Sequence, residues 1–504
     1  MILDGILTVI ASPMCWIIII IGVTIGLVFG AVPGLSAPMA MVLCLPLSFS
    51  LEPIQGISLL TALYIGSTSG GLISAILIEI PGTPASIATV FDGGPMARKG
   101  EAGKAIGIGI LYSFIGGILS TIALIFGSKA LASFALQFTA FEYFAISVFS
   151  LSIIASLSGE SIVNGLISGF LGFLVSLIGL SSLGQVRFTG GNPELLSGIS
   201  TVPILIGIYA VGAVINRSFG DVNKELGKKR TYQMHGFGIT LKEFMEQKWN
   251  CIRSTIIGII IGILPGIGGS TAGLLSYSMA KDNSKYPEKF GTGIIDGVVA
   301  SETSNNAVIG GAMIPLLTLG IPGSTPACLL LAGLTVHGIT PGPLVFKNSG
   351  VFVYGLFTAV FIANIAFCII ERAGLKWFVK LLDIQKWILY PLIISMCVIG
   401  AYANNSRGFE VLLVFVIGLA TYFLQKFGFE TTPFIIAFIL GGMAETNLVR
   451  ALSQSQGSWL PFITRPISAV MMIGAVLSVG VVLYKRIRAR KTGEKIIGIG
   501  EEDD

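Results

Sequence analysis

Apolar runs of roughly 18 or more residues recur along most of this chain, each long enough to cross a hydrocarbon layer about 30 Å thick. Soluble cores do not contain so many runs of that length. In lipid the backbone must satisfy its own hydrogen bonds, so the runs are read as helices or as helix breaks shielded by protein. Composition agrees: charged residues make up 11% of the 504, against about 25% in soluble domains. The fold class is an all-α integral membrane protein.

The net charge of +5 is small, and its basic residues cluster. One cluster runs from Arg217 to Arg253 and divides the chain nearly in half. The other lies in the tail, Lys485 to Lys495. By the positive-inside rule both are cytoplasmic, and neither reads as a nucleic-acid face. The last residues, Glu501 to Asp504, read as a disordered acidic end. Six cysteines (Cys15, Cys44, Cys251, Cys328, Cys368, Cys397) are scattered singly, without metal-ligand or redox spacing. The start, Met1 to Asp4, lacks the positive region of a secretory signal, so the first apolar run is expected to stay in place.

The two halves echo one another. Gly26, Gly30, Pro33 and Gly34 recur as Gly258, Gly262, Pro265 and Gly266 at one constant offset. Gly70-Gly71 followed by Pro81-Gly82-Thr83-Pro84-Ala85 recurs as Gly310-Gly311 followed by Pro322-Gly323-Ser324-Thr325-Pro326-Ala327. A looser echo pairs Asp92-Gly93-Gly94-Pro95 with His337-Gly338-Ile339-Thr340-Pro341. Three matches in one order mark an internal repeat.

Charge then sets orientation. Arg98, Lys99 and Lys104 follow the second motif of half one, whereas 337–348 in half two holds only Lys347. After the first motif the bias reverses: 48–56 has no cation, and its counterpart carries Lys281, Lys285 and Lys289. Equivalent loops on opposite sides make the repeats inverted.

The resulting trace has eleven to twelve crossings, with a re-entrant hairpin and a broken helix in each half. The first repeat is 1–216, with hairpin 15–47, broken helix 57–91 and crossings near 105–127, 132–157, 161–180 and 199–216. The arm from Trp16 to Val32 also fits a full crossing. The cytoplasmic linker is 217–253. The second repeat is 254–460, with hairpin 254–280, broken helix 292–336 and crossings near 350–370, 387–403, 409–425 and 431–448. Residues 461–504 form an extra helix and a cytoplasmic tail. The N-terminus falls outside, and Arg372, Lys376 and Lys380 fall inside.

Proline removes a donor and breaks a helix, and a following glycine permits a sharp reversal. Freed backbone groups at membrane depth survive only where they line a protein or water cavity. Paired breaks at corresponding positions are the best sequence pointer to a transport site. Polar residues collect there. Gly34, Ser36, Gly82, Thr83, Ser86, Gly266, Ser270, Thr271, Gly323, Ser324 and Thr325 are candidates for binding an anionic substrate. Helix N-termini carry unpaired N–H groups and partial positive charge, which suit a carboxylate or phosphate. Asn305, Asn306, Glu302 and Ser67 are candidates for ion coupling, with Asn305 and Asn306 as ligands of Na⁺. Thr68, Ser69, Thr303 and Ser304 lie beside them. Gly22, Gly26, Gly30, Gly258 and Gly262 read as close-packing positions instead.

Intramembrane acids are functional candidates by default, which singles out Glu302 and, less centrally, Glu79. Asp296 reads as lying near the cytoplasmic surface. The two histidines, His235 and His337, fall in the linker and a loop, so a histidine proton relay is not expected. No phosphate-binding loop of the Gly-x4-Gly-Lys-Ser/Thr type occurs, which disfavours a nucleotide-driven pump.

These motifs resemble the large membrane subunit of the tripartite tricarboxylate transporters. The resemblance rests on Gly26 to Leu35, Pro81 to Ser86 and Asp92 to Gly103. In half two it rests on Glu302 to Ala307, Pro315 to Gly323 and His337 to Pro343. It spans about residues 15 to 450. One departure is Ser301, where the family usually has proline before the glutamate. The resemblance implies a secondary transporter of the inner membrane taking up a tricarboxylate or dicarboxylate, with Na⁺ as coupling ion and no other cofactor. It also implies two partners, a small membrane subunit and a periplasmic binding protein, and an elevator-like movement is expected. An anion channel is the alternative reading. An intramembrane serine protease built on Ser36 and His337 is a weaker one.

Overall fold

Each proline-glycine pair singled out above lies between two helices. The computed structural model describes residues 1–157, 162–219, 238–381 and 386–492. Helices α1 (Ile2–Ile10) and α2 (Pro13–Ala31) lead to Pro33-Gly34, and α3 (Ala37–Ser48) leaves it. Helix α4 (Pro53–Leu77) stops short of Pro81-Gly82, and a 3-10 turn (Pro84–Ser86) opens α5 (Ile87–Arg98). There follow α6 (Ala102–Ala135), α7 (Ala140–Leu157), α8 (Ile162–Ser176), α9 (Thr201–Ile206) and α10 (Ala213–Phe219). The second half runs α11 (Leu241–Glu246), α12 (Lys248–Ile263), α13 (Gly268–Asp282), α14 (Ile295–Leu319) and α15 (Thr325–Val336). It continues with α16 (Val345–Asn348), α17 (Gly350–Leu381), α18 (Lys386–Asn405), α19 (Gly408–Lys426) and α20 (Thr431–Gln454), then α21 (Pro461–Thr464) and α22 (Pro466–Thr492).

Among the described residues, eight helices are long and apolar enough to cross a membrane, and five shorter apolar helices accompany them. The chain is thus a mostly helical, multi-pass membrane protein. The count falls below eleven because three expected crossings rank among the shorter helices (Ala140–Ile153, Val163–Ser176 and Pro466–Gly480) and Ile295–Leu319 is not one of the eight. Residues 57–91 fall into α4 and α5, and 292–336 into α14 and α15. Large apolar side chains such as Ile399, Val416 and Val476 are exposed, as a lipid-facing surface requires.

The chain forms two compact units. One comprises 1–133 and 209–407, and the other 134–208 and 408–504. Each draws on both halves of the sequence. In the second unit α20 packs on α7 and α8, and α22 on α7. Phe462 stacks edge-on against Phe141 and Phe144, and Arg465 donates to the buried Glu142 at 2.6 Å.

In the first unit α4 and α14 are buried along nearly their whole length. Helices α2 and α12 approach them most closely where glycine removes the side chain. A Cβ at Gly26 would lie 2.6 Å from the Leu63 carbonyl oxygen, and one at Gly30 would lie 2.3 Å from that of Ser67. Gly258 and Gly262 meet the Ser304 and Val308 carbonyls in the same way, at 2.3 and 2.5 Å. Gly70 abuts the Leu27 carbonyl, and Gly311 that of Ile259. These glycines are packing positions, as expected. The register is tighter than the sequence echo indicated. Gly70 and Gly311 make like contacts, whereas Gly310 meets the Ser120 carbonyl, so Gly311 rather than Gly310 is the glycine that behaves as Gly70 does.

Several details depart from the sequence trace. Helix α1 precedes α2, and α2 (Pro13–Ala31) is itself long and apolar enough to cross a membrane. Residues assigned to the end of the 161–180 crossing begin an antiparallel pair of two-residue strands, Gly179–Leu180 with Val186–Arg187. Gly184 at positive φ makes that turn possible. The linker ends earlier than Arg253, because α12 starts at Lys248. Helix α17 runs well past residue 370, to Leu381. The looser echo fails, since Asp92 lies inside α5 and His337 caps the end of α15. Lys224 to Arg230, His235 and the acidic end lie outside the described residues.

The described part of the linker carries a capping box. Thr240 Oγ1 accepts from the Glu243 N–H, and Glu243 accepts from the Thr240 N–H at 2.8 Å. Lys104 donates to Glu243 at 2.6 Å. Lys104 and the cap hold the Glu243 carboxyl down to about 2. A depressed carboxyl stabilises at neutral pH and loses that contribution only as pH falls through its folded value. The pair is partly exposed, so Lys104→Ala is expected to cost under ~1 kcal/mol, read as a small drop in Tm.

Candidate functional site

The breaks converge in pairs. A Cβ at Gly82 would lie 2.1 Å from the Gly30 carbonyl oxygen, so the Pro81-Gly82 break sits against the end of α2. A Cβ at Gly323 would lie 2.0 Å from the Gly262 carbonyl oxygen, and the Gly266 N–H donates to the Gly323 carbonyl at 3.1 Å. Gly34 and Gly266 turn the chain at φ of +92° and +80°, where a side chain is strained. The Arg217 guanidinium packs on Gly34, within 3.1–3.3 Å of the position a Cβ would take. That brings a linker cation to the first break.

Hydroxyls serve the helices leaving two of the breaks. Ser36 Oγ accepts from the Met39 N–H and caps α3, and Ser324 Oγ accepts from the Ala327 N–H and caps α15, each at 3.4 Å. Ser324 Oγ also shares a 2.9 Å hydrogen bond with the Tyr64 hydroxyl. Ser86 Oγ donates to the Thr83 carbonyl at 2.9 Å, and the buried Thr83 Oγ1 has no partner. Helix α13 has no side-chain cap. Ser270 and Thr271 are half-buried in its first turn, and Thr325 is half-buried in that of α15.

A polar core fills the space between α4, α5 and α14. Glu302 is fully buried, and its carboxylate accepts from Thr89 Oγ1 and, at 2.9 Å, from Ser113 Oγ. Ser301, at the position where proline was expected, bonds Thr89 Oγ1 at 3.0 Å within an unbroken α14. One turn on, Asn306 Nδ2 donates to the Glu302 carbonyl at 3.1 Å, and its Oδ1 has no partner. Asn305 is 1% exposed and neither end of its amide is bonded. Ser67 and Thr68 donate back to carbonyls of α4. Ser69 donates to Glu371 at 2.8 Å.

Other candidates lie apart. Glu79, at φ +58° in the loop after α4, pairs with Arg98 instead of lying deep among helices. Asp296 accepts from Gln247 at 2.9 Å at the start of α14. His337 sits against Gly56 and the C-terminal end of α3, whereas Ser36 starts that 12-residue helix. About 18 Å of helix separates them, so no Ser-His dyad forms. A cavity of about 570 Å³ in the second unit, lined by Phe144, Phe170 and Phe173, holds none of the break residues.

Sequence reading passed over five participants, Ser113 beside Glu302 among them. Glu371 is fully buried, with Oε1 unbonded. Tyr64 and Thr89 complete bonds across helices. Asp92 figured only as a motif residue. It is fully buried, accepts the N–H groups of Gly291, Gly293 and Ile294 at 2.7–3.0 Å on one oxygen, and takes the Tyr277 hydroxyl at 2.9 Å on the other. Asp92 therefore ties α5 to the entry of α14. Its signal was a carboxylate inside an otherwise small-residue helix segment.

The family described as the tripartite tricarboxylate transporter TctA family matches residues 16–436. A relative from Agrobacterium vitis, titled "Uncharacterized 52.8 kDa protein in TAR-I ttuC' 3'region", is 35% identical over 472 residues, covering 94% of this chain and 93% of its own. Another from the same organism, "Uncharacterized protein in TAR-II ttuC' 3'region", is 36% identical over 234 residues, 46% of this chain and 97% of its own. No solved structure matches. The polar core and the paired breaks all fall inside the matched range, and the chain belongs to the tripartite tricarboxylate transporter TctA family.

Proposed function

We propose that this chain is the large transmembrane subunit of a tripartite secondary transporter. It takes up a small carboxylate that a periplasmic binding protein delivers, works with a small membrane subunit in the inner membrane, and is driven by Na⁺. Its N-terminus is periplasmic and its C-terminus cytoplasmic. The two halves act as inverted repeats, each with a re-entrant hairpin and a broken helix.

The observation that carries this reading is the doubled meeting of breaks. Gly82 against Gly30 and Gly323 against Gly262 are the same contact made twice, beside a buried polar core. Unwound backbone at such depth is tolerated where it lines a cavity, and it suits a site held at a repeat interface. Helix N-termini and hydroxyls at the breaks take the carboxylate. The open amide oxygens of Asn305 and Asn306, with freed carbonyls, offer a hard cation its preferred oxygen ligands. Two compact units, one carrying all four breaks, match the parts an elevator-like movement needs.

The test is uptake of radiolabelled citrate and succinate into proteoliposomes holding all three components. Uptake is expected to require the binding protein and an inward Na⁺ gradient. Equal rates with no ion gradient would instead mark a channel.

A further inference from the structure

The twofold likeness of the breaks fails at one place, and the failure leaves a set of open polar groups. Where the first hairpin has Ser36 capping α3, the second has Gly268, and α13 starts with no side-chain cap. Ser324 answers to Thr83, and Asn305 to Tyr64, in the register fixed by Gly26–Leu63 and Gly258–Ser304. Tyr64 and Ser324 bond each other at 2.9 Å. Their counterparts do not: Thr83 Oγ1, Asn305 Nδ2 and Asn305 Oδ1 are all buried and unbonded. Thr83 is 5% exposed and Asn305 is 1% exposed. A buried amide with both ends open beside an uncapped helix start is a place for a ligand or water.

Asn305 and the start of α13 share one place, and the turn that carries Thr83 packs beside them, with Thr83 Oγ1 next to Gly71 of α4. A Cβ at Gly269, in the first turn of α13, would lie 2.9 Å from Asn305 Oδ1 and 3.1 Å from Ala85 Cβ, two residues after Thr83. The same turn of α13 packs on the Pro84–Ser86 turn. The small Gly268-Gly269 pair lets Asn305 approach the helix end and keeps a side chain from occupying it.

We infer that the second hairpin holds a carboxylate subsite, formed by the open N–H groups of the α13 first turn, the Asn305 amide and the Thr83 hydroxyl, while the matching place at the first hairpin is closed by Tyr64, Ser324 and Ser36. This rests on the transporter reading of the same breaks and assigns the anion to one of two related positions. An uncapped helix start offers unpaired N–H donors and partial positive charge to an anion. Asn305 Nδ2 and the Thr83 hydroxyl add donors, while Asn305 Oδ1, an acceptor, is left to the coupling cation. Glu302, the nearest acid on α14, spends its oxygens on Thr89 and Ser113.

The test is thermal unfolding of the purified full chain in detergent, with Na⁺ present. The probes are acetate, succinate, malate, tartrate and citrate at about 10 mM, with chloride and sulfate as controls. The variants are Thr83→Val, Thr83→Ser, Asn305→Leu, Tyr64→Phe and Arg217→Gln, each checked for monodispersity. At least one carboxylate is expected to raise the wild-type Tm, since a ligand at 100 times its Kd stabilises by about 2.7 kcal/mol. Thr83→Val and Asn305→Leu are expected to lose that shift. Thr83→Ser and Tyr64→Phe are expected to keep it. Retention in Thr83→Val and Asn305→Leu with loss in Arg217→Gln would move the anion to the first break and overturn the inference, leaving the transporter reading intact. Loss of a Na⁺-only shift in Thr83→Val, with the carboxylate shift kept, would make the position a cation site and overturn it likewise. No shift of the wild type with any carboxylate would count against the carboxylate reading itself.

Discussion

Gly82→Ala and Gly323→Ala are each expected to lower the yield of folded protein and its Tm sharply, and to do so to the same degree. The added methyl would sit 2.1 and 2.0 Å from the carbonyl oxygens of Gly30 and Gly262. Those oxygens belong to α2 and α12, each packed tightly against a buried helix, so neither backbone retreats cheaply. Overpacking a well-filled interior costs about 1–3 kcal/mol and sometimes more. A clash with backbone rather than with a flexible side chain lies at the upper end. Total stability is only about 5–15 kcal/mol, so the loss is a large share of it. Gly442→Ala is the control. Its site in α20 is open, and alanine there is expected to be neutral or to gain up to about 1 kcal/mol. The measurement is monodisperse yield and Tm in detergent. Wild-type behaviour of either tip variant would refute the close approach. A severe effect at one tip with none at the other would refute the equivalence of the two halves.

The breaks were legible because proline and glycine act locally. Removing a donor or permitting positive φ has the same consequence in any surroundings, so Pro33-Gly34 and Pro265-Gly266 were placed from sequence alone. The packing role of Gly26 and Gly258 was legible for a related reason, since only a missing side chain explains regular small residues in an apolar run. What escaped depended on partners distant in sequence. Ser67 and Ser324 look alike as hydroxyls beside breaks. One donates within its own helix, and the other reaches Tyr64, 260 residues away.

Glu371 escaped because Arg372, Lys376 and Lys380 made its surroundings look like a membrane border. The helix continues to Leu381, and those three cations lie on its exposed side. Glu371 shares the buried side with Phe367, Leu375 and Phe378. That four-and-three spacing was present in the sequence, and an acid on an apolar stripe is the signal that finds it. The register slip at Gly310 had a simpler origin: two adjacent glycines look interchangeable until one of them meets the Ile259 carbonyl.

Glu302→Gln is expected to cut carboxylate uptake by about 100-fold, or about 2.7 kcal/mol of barrier, with Tm nearly unchanged. The glutamate is fully buried and its partners are two neutral hydroxyls, Thr89 and Ser113. A buried charge without an opposite charge costs several kcal/mol, and an acid kept at membrane depth against that cost is functional by default. Glutamine keeps the shape. Its carbonyl accepts from one hydroxyl, and its amide donates to the lone pairs of the other, since each hydroxyl works both ways. The substitution therefore removes the charge and the proton-binding capacity while the packing stays. Glu302→Leu differs, because it strands the Ser113 hydroxyl and weakens the bonding of Thr89, at about 1–3 kcal/mol for each buried group left unpaired. A purely structural glutamate would give the reverse ranking: glutamine near wild type in uptake, and leucine deficient through poor folding alone. Uptake measured against Na⁺ concentration separates the two. A coupling role for Glu302 is expected to move the Na⁺ dependence in Glu302→Gln as well as the maximal rate. An unaltered Na⁺ curve at full rate would leave Glu302 as a hydrogen-bond anchor between α14, α5 and α6.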